Sequence, residues 1–121
     1  MNIETAQIPG ESPGVSQSIG VWYTVISDSI TIDRTGQVKV RYNGQWVPSG
    51  SGFNLRLRRG STILKTFSGI NAVNKQPATL LDERSTAAGP YTYIVETKSD
   101  VSGGIALGLT GNTLSIQGDF K

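Results

Sequence analysis

The stretch Gly89-Pro90-Tyr91-Thr92-Tyr93-Ile94-Val95-Glu96-Thr97-Lys98 decides the fold class. In an extended chain Tyr91, Tyr93 and Val95 share one side and Ile94 faces the other, within a stretch whose apolar and polar residues alternate with the period of two of a half-buried antiparallel strand. Downstream, Gly103-Gly104 reads as a turn, residues 105–109 as a strand, Gly111-Asn112 as a second turn and residues 113–120 as a further strand.

The same period recurs upstream. Residues 21–26 are aromatic and β-branched and predict a strand, which Ser27-Asp28 breaks before Ile30 and Ile32 resume it on one face. Arg34-Thr35-Gly36 turns the chain into a segment with Val38, Val40 and Tyr42 inward and Lys39 and Arg41 outward. Asn43-Gly44 is the strongest short hairpin signal, because a type I′ turn needs positive φ at both central residues, so residues 45–47 are expected on its far side. Phe53, Leu55 and Leu57 alternate with Asn54, Arg56 and Arg58, and Arg59-Gly60-Ser61 should close a second hairpin onto residues 62–67. Residues 77–82 predict a weaker strand and residues 83–89 a loop or at most one helical turn. No segment keeps a helical period. The expectation is an all-β antiparallel sandwich of about eight strands.

Residues 1–20 carry Pro9-Gly10 and Pro13-Gly14 without either period, and are expected to be a flexible extended arm before a domain spanning residues 21–121. The chain of 121 residues is of one-domain size. No apolar run approaches the ~18 residues that cross a bilayer, and the first residues lack the basic start and apolar centre of a signal peptide, so no membrane partner is expected and assembly in a cytoplasm is.

Composition removes several chemistries. With His 0 and Cys 0 there is no imidazole base, no thiolate and no cysteine-containing zinc site. Ser-His-Asp catalysis is excluded. The carboxylates Asp28, Asp33, Glu96, Asp100 and Asp119 are scattered, and the adjacent Asp82 and Glu83 point apart in a strand, so no acid pair for glycoside hydrolysis is expected. Gly50-Ser51-Gly52 lacks phosphate-cradle spacing. Eleven basic against nine acidic residues, a net charge of +2, is no nucleic-acid signature. The chain is thus expected to have no catalytic residue, cofactor or metal, and to bind or assemble.

Two groups of residues could do the binding. Arg56, Arg58 and Arg59 form the densest basic feature, with Lys39 and Arg41 expected on the same outer face; arginine can hold carboxylates in bidentate fashion, and basic strand residues also guard sheet edges against aggregation. Trp46, beside the expected hairpin turn, could stack on a sugar or on a neighbouring subunit. Trp22, Tyr91 and Tyr93 suit a core or a subunit interface.

The residue 22–26 strand, the Arg56-Leu57-Arg58-Arg59-Gly60 hairpin, the Gly89-Pro90-Tyr91-Thr92-Tyr93 strand and the ending Leu114-Ser115-Ile116-Gln117-Gly118-Asp119-Phe120 resemble the jelly-roll domains of small virion proteins of tailed bacteriophages, and more distantly the trimeric tumour-necrosis-factor fold. The resemblance covers residues 21–121 and implies a homotrimer with Trp22, Tyr91 and Tyr93 at its interface. It further implies a place on the virion, at the capsid surface, as a decoration or cement protein bound to the major capsid protein. A chain holding an arm and one domain is expected there rather than in a fibre. Docking would then use Ile3, Ile8 and Val15 of the arm together with Arg56, Arg58 and Trp46. The alternative is a tail-fibre head that binds a receptor or carbohydrate, with Trp46 and the arginine face as its glycan site.

Overall fold

A computed structural model describes residues 2–8, 15–17, 21–48, 51–71, 76–99 and 103–118, with side chains over 21–44, 54–67, 79–98 and 113–118. Among the described residues there are nine strands: β1 (Asn2–Ile8), β2 (Val15–Gln17), β3 (Tyr23–Ile32), β4 (Gly36–Pro48), β5 (Ser51–Arg59), β6 (Thr62–Asn71), β7 (Gln76–Thr86), β8 (Gly89–Ser99) and β9 (Gly103–Gly118). They form two antiparallel sheets. The front sheet has the order β1-β9-β4-β7, with β2 also on β9, and the back sheet the order β3-β8-β5-β6. From β2 onward the chain changes sheet at every connection except β5 to β6. This is a jelly-roll β-sandwich, as expected from the sequence.

Alternation builds the core. Val38, Val40 and Tyr42 of β4, Leu80 of β7 and Leu114 and Ile116 of β9 face Ile26, Ile30 and Ile32 of β3, Leu55 and Leu57 of β5, Leu64 of β6 and Tyr93 and Val95 of β8, all of them buried. Burying an aliphatic side chain of this size contributes roughly 1.5–3 kcal/mol. The expected second hairpin forms: β5 and β6 pair antiparallel down to Arg59 and Thr62, and Gly60 takes φ 56 in the turn, with its N–H donating to the Thr92 carbonyl at 3.0 Å. Only a residue without Cβ adopts that φ at no steric cost.

Five local expectations are overturned. Asn43-Gly44 is not a turn: β4 runs straight through it, paired with Thr79 and Ala78 of β7, and the ladder to β9 shifts register between Asn43 and Gln45. A strand flanked on both sides cannot fold back on itself, and the glycine serves a bulge instead. Gly103-Gly104 and Gly111-Asn112, both expected as turns, likewise lie within β9. Ser27-Asp28 does not break β3; Asp28 stands opposite Tyr93, its Oδ1 accepting from the Ser29 N–H at 3.0 Å. Residues 83–86, expected in a loop, continue β7, with Arg84 and Thr86 on the inward side of Leu80 and Asp82.

Within the segment expected as an arm, the described residues lie in strands. Asn2–Ile8 is a full strand of the front sheet, paired along β9 from Asn2↔Gly118 to Ile8↔Asn112, and Val15–Gln17 adds a short strand against Gly103–Ile105. The free edge that an extended segment could join is on its own domain.

Candidate functional site

On β4 the inward turn of Val38, Val40 and Tyr42 forces Gln37, Lys39 and Arg41 outward. Register then sets their neighbours. Lys39 lies between Gln117 of β9 and Glu83 of β7, and Arg41 between Ser115 and Leu81. The front face is therefore a grid of polar side chains on three strands about 4.8 Å apart, with residues on one strand about 6.6 Å apart. Two joined depressions lie on it. One, of about 210 Å³, is lined by Lys39, Arg41, Ser115 and Gln117. The other, of about 220 Å³, is lined by Gln37, Lys39, Glu83 and Gln117. Leu81, 42% exposed, adds an apolar surface beside Arg41.

Among the described residues neither Lys39 nor Arg41 is in an ion pair, and Lys39 makes none with its register partner Glu83. The other strand arginines are all engaged. Arg56 Nε donates to Glu96 Oε1 at 2.8 Å, and Arg58 donates from Nε to Oε1 at 2.7 Å and from Nη2 to Oε2 at 3.2 Å. Arg84 holds Asp82 with Nε and Nη2, both 2.9 Å from a carboxylate oxygen. Arg59 Nη1 donates to Thr86 Oγ1 at 3.1 Å, with its guanidinium 5.0 Å from the centre of the Tyr91 ring.

The back face carries the Glu96 cluster. Trp22 lies under the Arg56 guanidinium at 4.0 Å, with the Lys98 ammonium 5.0 Å from the same ring centre, distances that suit cation–π attraction. Burial pushes the Glu96 carboxyl up, but the hydrogen bonds and charges of Arg58 and Arg56 outweigh it and leave the group below its ordinary value. The Glu96 bond correspondingly raises Arg58. At one end of the core, burial pushes the Tyr93 phenol up against the opposing pull of Arg59.

The residues singled out from the sequence do not gather in one place. Ile3 and Ile8 belong to β1, Val15 to β2 and Trp46 to β4, all in the front sheet, and their side chains lie outside the described residues. Arg56 and Arg58 are on the back sheet, so the expected docking set is split between the two sheets. Lys39 and Arg41 do not share the face of Arg56 and Arg58 for the same reason. Tyr93, expected at a trimer interface, is 1% exposed in the core of a single chain, where the front sheet covers it. Tyr91 is half-buried, its hydroxyl donating to the Ala87 carbonyl at 2.6 Å, and Trp22 is half-buried beneath Arg56. Sequence reasoning missed Glu96 as the partner of both arginines, and Gln37, Glu83, Ser115 and Gln117 as lining residues. The outward parity of Ser115 and Gln117 was a readable signal; their adjacency to Lys39 was not.

No protein-family model matches the chain, and no curated protein matches its sequence. Solved structures share the fold. The CBM36-1 domain of a multidomain xylanase from the hindgut metagenome of Trinervitermes trinervoides is 15% identical with a TM-score of 0.56, over 99% of this chain and 100% of that one. A family 35 carbohydrate binding module from an environmental isolate is 12% identical with a TM-score of 0.58, over 99% and 95%. Dimeric latent PorU from Porphyromonas gingivalis is 9% identical with a TM-score of 0.60, over 94% of this chain and 12% of that one. At these identities the likeness is one of fold. It lends the expected capsid role no support.

Proposed function

We propose that this jelly roll is a non-catalytic carbohydrate-binding domain, and that it binds on the front sheet. The observation that carries the reading is the pair of joined depressions whose described lining residues are Gln37, Lys39, Arg41, Glu83, Ser115 and Gln117, all with polar side chains. A sugar hydroxyl both donates and accepts, so a glycan needs a surface that mixes donors with acceptors. Lysine and arginine supply donors only, the carboxylate acceptors only, and the amides and hydroxyl both. The strands set these groups a few ångströms apart on a rigid lattice, and Leu81 offers an apolar surface for the C–H face of a ring. Two of the solved structures above are described as carbohydrate-binding modules and match over almost their full length, which supports the same reading. Among the described residues Glu83 is the one carboxylate lining the depressions, and hydrolysis of a glycosidic bond needs two in concert.

Affinity gel electrophoresis of the full chain in a panel of soluble neutral and acidic polysaccharides tests this. Migration should be retarded by at least one of them, and Ser115→Tyr, which fills the depression from an outward strand position without changing charge, should restore free migration. Free migration of the unmodified chain in every polysaccharide would overturn the reading. Undiminished retardation of Ser115→Tyr would place binding elsewhere.

A further inference from the structure

The charge of the front face carries one step more, resting on the carbohydrate reading above. Lys39 and Arg41 are two residues apart on β4, on the same side, with no anionic partner among the described residues. Arg34, Lys65 and Lys98 likewise make no ion pair among the described residues, whereas Arg56, Arg58 and Arg84 each hold a carboxylate and Arg59 a hydroxyl and a ring; Lys39 and Arg41 differ from all of these in lining one depression side by side. Edge protection does not account for them either. Protective cations belong on edge strands, whereas β4 is flanked by β9 and β7 over both residues. Like charges about 6.6 Å apart repel, so the arrangement gains most when an anion enters between them.

The two depressions differ in charge. Among the described residues Lys39, Arg41, Ser115 and Gln117 line the first, with two cations and no acid. Gln37, Lys39, Glu83 and Gln117 line the second with one cation and one acid. We propose that the front face binds a polyuronate, a glycan carrying carboxylates on its rings. The sugar carboxylate enters the first depression against the Arg41 guanidinium, whose planar fork can grip it in bidentate fashion, and the Lys39 ammonium. The hydroxyls of the adjoining ring occupy the second, where Glu83 accepts from them and repels a misplaced carboxylate. Glu83 thereby fixes which residue of the polymer sits where.

The test uses the full chain and polyuronates (polygalacturonate, alginate and hyaluronan), each beside its carboxyl-reduced counterpart, with polyglutamate as a polyanion that has no sugar. Isothermal titration should give at least one polyuronate bound about tenfold or more tightly than its reduced form, the size expected from two modest charge contacts. Lys39→Gln and Arg41→Gln should each erode that preference with unchanged melting temperature. Salt of about 1 M, where screening acts within about 3 Å, should weaken it. Equal binding of every acidic and reduced polymer would overturn the proposal and leave carbohydrate binding standing. Polyglutamate bound as tightly as the polyuronates would overturn it in favour of a general polyanion surface. Binding of no polymer, acidic or reduced, would remove the carbohydrate reading on which it rests.

Discussion

Arg58 and Glu96 are joined diagonally across β5 and β8, by Nε to Oε1 at 2.7 Å and Nη2 to Oε2 at 3.2 Å, although the register partner of Glu96 is Arg56. One buried carboxylate thus neutralises two arginines whose side chains are 21% and 26% exposed. Glu96→Ala leaves both cations without an anion and should cost about 2 kcal/mol in urea unfolding, well above an exposed pair and below a fully buried one.

The same carboxyl should steepen acid unfolding. Its folded value is held below the ordinary 4.5. The stability it adds is therefore present above the unfolded value and is lost as pH falls through the folded one. Melting temperatures measured downward from about pH 5 should drop less steeply in Glu96→Gln than in the unmodified chain. Equal slopes would mean that the arginines do not favour the ionised form.

Tyr93 sets the opposite limb. Burial raises its phenol above 10.0, so the unfolded chain releases that proton first as pH climbs. Stability should hold below about pH 10 and decline above it, and Tyr93→Phe should flatten part of that decline. Stability-versus-pH curves of the two proteins, matched at neutral pH, provide the check.

Gly60 isolates a backbone effect. A Cβ built there meets nothing within 4 Å, so space is not the constraint, while φ 56 is left-handed. Gly60→Ala should cost about 1 kcal/mol, and Gly60→Asn less, because asparagine tolerates this region better than alanine. A neutral Gly60→Ala would show that the β5–β6 turn relaxes to another geometry.

Leu57 lies fully buried on β5 between the sheets. Leu57→Ala removes methyl groups from a packed core and should cost about 2–5 kcal/mol by chemical denaturation. A loss under about 1 kcal/mol would mean that the surrounding residues collapse into the space.

The sequence made the parity of single strands readable. Val38, Val40 and Tyr42 against Lys39 and Arg41, and Tyr93 and Val95 against Glu96, all follow from a period of two. It did not reveal which strands share a sheet. Asn43-Gly44 satisfies every local requirement of a hairpin turn, and only β7 and β9 on either side keep it extended. Residues 2–8 pair with β9, almost a whole chain length away, and no local pattern announces a partner that distant. The candidate site was half legible for the same reason. Lys39 and Arg41 read correctly as outward, yet were grouped with Arg56 and Arg58, and the separation of these pairs onto opposite sheets is a property of topology alone.

On β4 the even positions 38, 40 and 42 are spent on the core, while the odd positions 37, 39 and 41 line the front face. Substitution and displacement therefore have unequal consequences for descendants of this chain. Positions 37, 39, 41, 83, 115 and 117 can be exchanged one at a time, altering the chemistry of the proposed binding face while Val38, Val40 and Tyr42 go on holding the sandwich. A single insertion or deletion between Gly36 and Tyr42 would instead turn Lys39 and Arg41 into the core and expose the aliphatic row. The polar chemistry of the front face should drift freely by point mutation, with the length of β4 staying fixed.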